Sequence, residues 1–291
     1  MQTTLIVGCG YIGKRIARLA LERHHHVSAL VRAPEKGLEL ERAGAQVFYG
    51  NLDQPDNFPV LPTAGATVHY LVPPIGGGSV DTRIRIFCAC IQPGNEPAKI
   101  VYMSTSGVYG DCGGAVVSEE TPVNPQTARA RRRLDAETYL QSWGREVGVP
   151  VIILRVPGIY GPGRVPVAQI ESGNPVLREN ESPLTNRIHA DDLAQVCLAT
   201  AEKGEPGDIF NVSDGQCSTM TSYFNAVADQ FGLMRPSQVS REVAPQVMNP
   251  LILSFFSESR CLDNTKMMSK LGVTLRYPTL EEGLKACRGP E

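Results

Sequence analysis

The chain has 291 residues, 42% of them apolar and 20% charged, which is enough for one large α/β unit and a smaller lobe around ordinary globular cores. Its 28 Lys and Arg are offset by 30 Asp and Glu, so there is no basic field to hold a polyanion and nucleic acid is not an expected partner. No stretch approaches the roughly 20 consecutive apolar residues of a membrane span, and no membrane partner is expected.

In chain order, strand-like runs at 3–7, 27–32, 46–49, 67–71, 99–103 and 150–155 alternate with helical patterns at 12–23, 35–43, 80–92 and 126–146. This alternation predicts βαβ units and a Rossmann-type, doubly wound parallel sheet. From about Pro157 the pattern turns irregular, with Pro162, Pro166, Pro175 and Pro183 close together. A helix over 191–203 follows, then a strand over 209–212 and helices over 218–231, 246–256 and 279–287. The expected organisation is a dinucleotide-binding unit over 1–160, with 188–215 returning to it. Residues 161–187 and 216–291 form a smaller C-terminal lobe on the substrate side.

The apolar run Leu5-Ile6-Val7 leads into Gly8-Cys9-Gly10-Tyr11-Ile12-Gly13, and an amphipathic helix follows. That is the context a GxGxxG turn requires. Gly8 permits the tight turn, Gly10 lets backbone amides approach a pyrophosphate, and Gly13 lets the helix pack closely on the strand, with Tyr11 and Ile12 in the first turn. The second strand ends at Arg32, where an NAD-preferring protein usually carries Asp or Glu. A guanidinium suits a 2′-phosphate instead, so NADP(H) is the preferred cofactor, with Lys36 as a helper and NAD(H) still open. After the third strand, Leu52 and Asp53 are expected at the adenine edge. Val72 and Pro73, at the end of the fourth strand, are expected to line the cofactor.

The eight cysteines, Cys9, Cys88, Cys90, Cys112, Cys197, Cys217, Cys261 and Cys287, contain no CxxC pair. They read as reduced thiols of a cytoplasmic protein without a metal site. Met1 to Thr4 run directly into the first strand and leave no room for a signal peptide. His24, His25 and His26 are consecutive, so they point in different directions and cannot all chelate one ion.

Several later stretches carry a family resemblance: Val101-Tyr102-Met103-Ser104-Thr105-Ser106-Gly107-Val108-Tyr109-Gly110, Leu154-Arg155-Val156-Pro157-Gly158-Ile159-Tyr160-Gly161, Arg187-Ile188-His189-Ala190-Asp191-Asp192-Leu193-Ala194 and Leu262-Asp263-Asn264-Thr265-Lys266. The chain resembles the extended and atypical short-chain dehydrogenases/reductases, the NAD(P)-dependent epimerase/dehydratase group. The resemblance implies an oxidoreductase or epimerase-like activity on a small molecule, with phosphorylated or nucleotide-linked substrates as its commonest theme. It maps the catalytic hydroxyl onto Thr105, with Ser104 beside it, and brings Pro157 and Gly158 to the cofactor.

The family's Tyr-x-x-x-Lys pair maps onto Arg129 and Arg133. An arginine can hold an anion or a ribose, but it cannot cycle a proton near neutral pH. Arg133 is therefore expected at the cofactor and Arg129 at an anionic substrate group, with Arg131 and Arg132 on the surface. Tyr109, Tyr160 and His189 are the alternative proton donors, although His189 reads more naturally as a hydrogen-bonded turn residue ahead of an Asp191 helix cap. The competing expectation is a catalytically silent NADP(H)-binding sensor or regulatory protein.

Overall fold

Strands that are apolar on both faces must be covered on both faces. In the computed structural model, which describes residues 2–288, seven strands form one parallel sheet whose central members are buried on both faces. Across it the order is Ile209–Asn211, Val151–Val156, Lys99–Thr105, Thr67–Tyr70, Thr3–Val7, His26–Val31 and Gln46–Tyr49. The expected strands and helices of this half lie within a few residues of their observed bounds. No helix among the described residues is long and apolar enough to cross a membrane.

Alternation along each strand divides the core into two layers. Ile6, Val101, Met103, Ile152 and Leu154 face the helices Tyr11–Glu22 and Ala190–Lys203, whose Ile16, Ala17, Leu193 and Cys197 are buried against them. Leu5, Val7, Ile100, Tyr102 and Ile153 face the opposite way and pack with Ile84, Phe87, Ala136 and Leu140 of Thr82–Ala89 and Ala128–Val147. A third cluster, away from the sheet, joins Tyr160, Ile170, Leu177, Tyr223, Phe224, Val227, Phe256 and Leu284.

Three expectations change here. The helix expected over 246–256 is broken into Ala244–Val247, Pro250–Leu253 and the 3-10 turn Ser254–Phe256, because Pro250 disfavours helical backbone at Asn249. The short parallel pair Gly158–Tyr160 with Arg187–His189 was not anticipated. The thiols are not all reduced: Cys217 and Cys261 form a disulfide, their separation of 44 residues in sequence being closed by the fold rather than by any local spacing.

At the carboxyl ends of the central strands lies a buried polar chain. Ser104 Oγ donates to Glu137, and Arg155 Nη2 donates to Glu137 Oε2 at 2.8 Å. Arg155 Nη1 donates to Tyr109 Oη at 3.0 Å, and that hydroxyl donates to Asn211 Oδ1 at 2.8 Å. Glu137 and Arg155 are 2% and 4% exposed, so each charge is tolerable only with the other present. Glu137→Ala should therefore lower unfolding free energy by about 3–5 kcal/mol, while Thr138→Ala, on the exposed side of the same helix, should stay within about 0.5 kcal/mol. Urea unfolding measures both; a loss under 1 kcal/mol for Glu137→Ala would show that the pair does not hold the helix.

Candidate functional site

The first strand lies between the second and the fourth, so the chain reverses direction across the sheet at this point and leaves a crevice at the strand ends. The glycine turn occupies that crevice. Gly8 has φ +90°, and a methyl there would lie 2.8 Å from Val72 Cγ2, so glycine is required for both its backbone and its closeness to the fourth strand. Gly13 lies under Ile6 and Cys9, where a Cβ would come within 3.1 and 3.2 Å. At Gly10 a Cβ would meet nothing within 4 Å, because the residue faces open space.

The helix Tyr11–Glu22 starts from Gly10 with no side-chain cap and no acidic residue in its first turn. In contrast, Asp81, Thr127, His189 and Thr219 cap the helices that follow them. First-turn amides have no intrahelical acceptor, so this uncapped end is equipped to receive an anion. A cavity of about 450 Å³ opens over it, lined by Gly8, Gly10, Tyr11, Ile12 and Gly13 of the turn and by Arg32, Leu52, Val72 and Pro73 of the neighbouring strand ends. Those residues fit the phosphates and adenosine of a dinucleotide.

Asp53 departs from expectation. Arg83 grips its carboxylate through Nε at 2.7 Å and Nη2 at 2.5 Å while donating to Pro73 O at 2.8 Å, and the hydrogen bond from Arg83 holds the Asp53 carboxyl below its ordinary range. Asp53 thus ties two loops together, and Leu52 and Arg83 form the cavity wall instead. Tyr11 is fixed from three directions, with Oη donating to Pro162 O at 2.8 Å and the Arg15 and Arg164 guanidiniums 3.9 and 4.3 Å from its ring centre.

A second cavity of about 260 Å³ adjoins the first, with Ile159 lining both. Thr105, Arg129, Pro157 and Gly158 line it, so Pro157 and Gly158 sit on this side rather than in the first cavity. Thr105 Oγ1 accepts the Gly107 amide at 3.2 Å, which leaves its proton to donate. Ser104 faces the other way into Glu137, since neighbouring strand residues point to opposite faces. Arg133 Nη1 donates to Met103 O at 2.8 Å and lines the first cavity, while Arg129 lies over Phe255 at 4.5 Å in the second. Arg131 is exposed as expected. Arg132 is half-buried and donates to Gly78 O at 2.9 Å, so it anchors the Gly76-Gly77-Gly78 segment.

Of the alternative proton donors, Tyr109 and His189 are engaged in the frame, and Tyr160 lines the second cavity with its hydroxyl buried. Tyr109 belongs to the buried Arg155 chain. His189 is itself the helix cap, with Nδ1 accepting the Asp191 amide at 3.2 Å; burial pulls its pKa down to about 4 and keeps the imidazole neutral. Burial likewise drives the Tyr160 hydroxyl well above its ordinary value, and that hydroxyl packs where a Cβ on Gly283 would stand. Residues that the sequence did not single out for this cavity are Tyr223, Glu258 and Arg260.

The model of the NAD dependent epimerase/dehydratase family matches residues 79–213. The match covers a little under half of the chain, from the third helix of the sheet half to the end of its last strand. Human dTDP-D-glucose 4,6-dehydratase is 30% identical over 122 residues, which are 39% of this chain and 35% of the human protein, so the match spans about a third of that relative. A functionally unknown conserved protein from Silicibacter pomeroyi DSS superposes with a TM-score of 0.83 at 29% identity, covering 99% of this chain and 98% of the other. The UDP-glucose 4-epimerase of Thermotoga maritima, solved with UDP-glucose, shares the fold with a TM-score of 0.77 at 18% identity, covering 98% of this chain and 97% of the epimerase. The Rossmann-type α/β fold described above is thus shared with that epimerase.

One acid beside the second cavity is displaced far enough to measure. Burial raises the Asp214 carboxyl from 3.8 to about 7, partly offset by the hydrogen bond from the Gln216 amide. Between those limits the folded protein holds a proton that the unfolded chain has released, so this residue's contribution to stability falls as pH rises. Asp214→Asn should therefore gain stability relative to the parent on going from pH 4 to pH 7, by up to about 1.4 kcal/mol per pH unit. A difference between the two proteins that does not change with pH would show that Asp214 titrates normally.

Proposed function

We propose that the protein binds a nicotinamide dinucleotide, with NADP(H) preferred, and acts as an oxidoreductase or epimerase-like enzyme on a carbonyl or alcohol of a small molecule. The observation that carries this reading is the meeting of the two cavities at Ile159, which joins the uncapped glycine turn and the free Thr105 proton in one cleft. When bound, the cofactor supplies reversible hydride transfer. Thr105 donates its hydroxyl proton to a substrate oxygen. Arg133, fixed by the Met103 carbonyl, holds the cofactor side of the cleft, and Arg129 remains available to an anionic substrate group. Because Arg129 and Arg133 stand where the family's Tyr and Lys are expected, the exchanging proton comes from another group, and neither arginine is its source.

Support for NADP(H) comes from Arg32, exposed at the end of its strand, and from Lys36 beside it; both line the dinucleotide cavity. The names of the relatives, a dTDP-D-glucose dehydratase and a UDP-glucose epimerase, make nucleotide-linked sugars the first substrates to try. The sealed hydroxyls and the neutral, capping His189 favour a second reading, a cofactor-binding sensor without turnover.

Calorimetry with NADP(H) and NAD(H) should give tighter NADP(H) binding, and Arg32→Glu should weaken NADP(H) alone by roughly 10- to 100-fold, the range of a charged hydrogen bond. Equal affinities would remove the role given to Arg32. Gly10→Val should abolish binding of either cofactor in a folded protein, because the side chain enters the cavity and not the core. Turnover of NADPH with carbonyl compounds or nucleotide sugars, reduced at least tenfold by Thr105→Ala, supports the enzyme. Tight cofactor binding with no turnover across such a panel supports the sensor.

A further inference from the structure

Two arginines of this protein are almost wholly buried, and they are buried on different terms. Arg155, 4% exposed, is clasped by Glu137 at 2.8 Å. Arg187 is 5% exposed, yet it forms no ion pair with any carboxylate among the described residues. Its printed contacts are soft ones: the Tyr223 ring lies 3.9 Å from the guanidinium carbon, and Nη2 reaches the Met220 Sδ at 3.2 Å, a weak acceptor. A guanidinium carries five N–H donors in a planar fork, so most of its capacity is unspent. The side chain lines the second cavity. Burial draws its pKa down to about 10, which still leaves it charged at neutral pH.

The other polar groups around the cavity do not answer this charge. Glu258 is taken by Arg260, which donates to it at 2.9 Å and to Gly110 O at 2.7 Å. Asn186 is consumed by the frame: its Nδ2 donates to Gln216 O at 2.9 Å, and its Oδ1 accepts the Leu262 amide at 2.6 Å. Asp214, whose charge Arg187 feels, makes no ion pair with it and accepts the Gln216 amide. Arg129, Arg187 and Arg260 thus line the cavity against a single carboxylate.

We propose that Arg187 is the anchor of an oxyanion-binding subsite, taking a carboxylate or phosphoryl group of the substrate whose carbonyl or alcohol meets Thr105. The planar fork donates to two oxygens of either group, Tyr223 covers one face of the guanidinium, and Arg129 adds a second positive charge on the same cavity. This inference rests on the reading of the cleft as the substrate site, and it narrows the substrate to anionic molecules.

The test uses the full-length protein saturated with NADP(H), so that the glycine turn is filled, and titrates malonate, inorganic phosphate and pyrophosphate by calorimetry. At least one of these should bind saturably, and Arg187→Met should weaken that binding by roughly 10- to 100-fold while leaving NADP(H) affinity unchanged. A response to malonate alone assigns a carboxylate, and a response to the phosphates alone a phosphoryl group. Thermal unfolding separates a binding role from a structural one: because an uncompensated buried charge opposes folding, Arg187→Met should be at least as stable as the parent without anion and should lose the anion-dependent rise in Tm. Absence of saturable binding, or equal binding by the parent and Arg187→Met, overturns the subsite while the cofactor reading stands. If the parent fails to bind NADP(H), the reading of the cleft fails instead. The same titrations on the free protein, compared between parent and Arg187→Met, then decide the subsite by the same criterion.

Discussion

The buried pair of Glu137 and Arg155 sets the geometry of the whole cleft. Arg129, Arg133 and Glu137 recur every four residues along Ala128–Val147, so they share one stripe of that helix. Once Glu137 is locked to Arg155 and to Ser104, the helix can neither rotate nor slide without exposing a buried charge. Arg133 is then delivered to the Met103 carbonyl and the first cavity, while Arg129, one turn earlier, reaches the second. A pair that touches no proposed ligand thus decides which arginine serves which half of the cleft.

What was legible in the sequence followed local rules. The glycine turn could be read because strand, turn and helix are contiguous, and the seven-strand sheet because runs such as Val151-Ile152-Ile153-Leu154 are apolar on both faces. Short pairings such as Val116–Val117 with Cys261–Leu262, and the Cys217–Cys261 disulfide, join segments with no mutual signature in the sequence. Ser104 is a different kind of error. Strand alternation alone sends Ser104 and Thr105 to opposite faces, so only one of them could have faced the cleft. Arg155 also left a signal, since a charge inside an otherwise apolar strand is tolerated only beside a partner; the partner, 18 residues away on a helix, is visible only after folding.

Asp53 and Arg83 show how a residue expected at a ligand's edge can serve the frame instead. Leu52 remains in the wall of the first cavity, but Asp53 turns to Arg83, and the same arginine reaches Pro73 O. The bidentate grip joins the loop after the third strand to the loop after the fourth, on either side of the glycine turn. The crevice is thereby held open by a fixed cross-brace, and the uncapped helix end stays available.

The contrast between the two buried arginines separates architecture from function on one physical criterion. A charge taken out of water and fully answered by protein groups contributes to the fold, and its removal leaves its partner stranded. A charge taken out of water and in direct contact only with an aromatic face and a thioether, with no carboxylate paired to it, gains less from the fold, so another requirement retains it. Arg155 satisfies the first description through Glu137 and Tyr109, and Arg187 the second through Tyr223 and Met220. Arg155 lies between buried Leu154 and Val156, and Arg187 between buried Asn186 and Ile188, so burial of the chain neighbours alone does not tell them apart. Only the presence or absence of a paired carboxylate in three dimensions does, and on that criterion Arg187 is the arginine proposed to take a ligand.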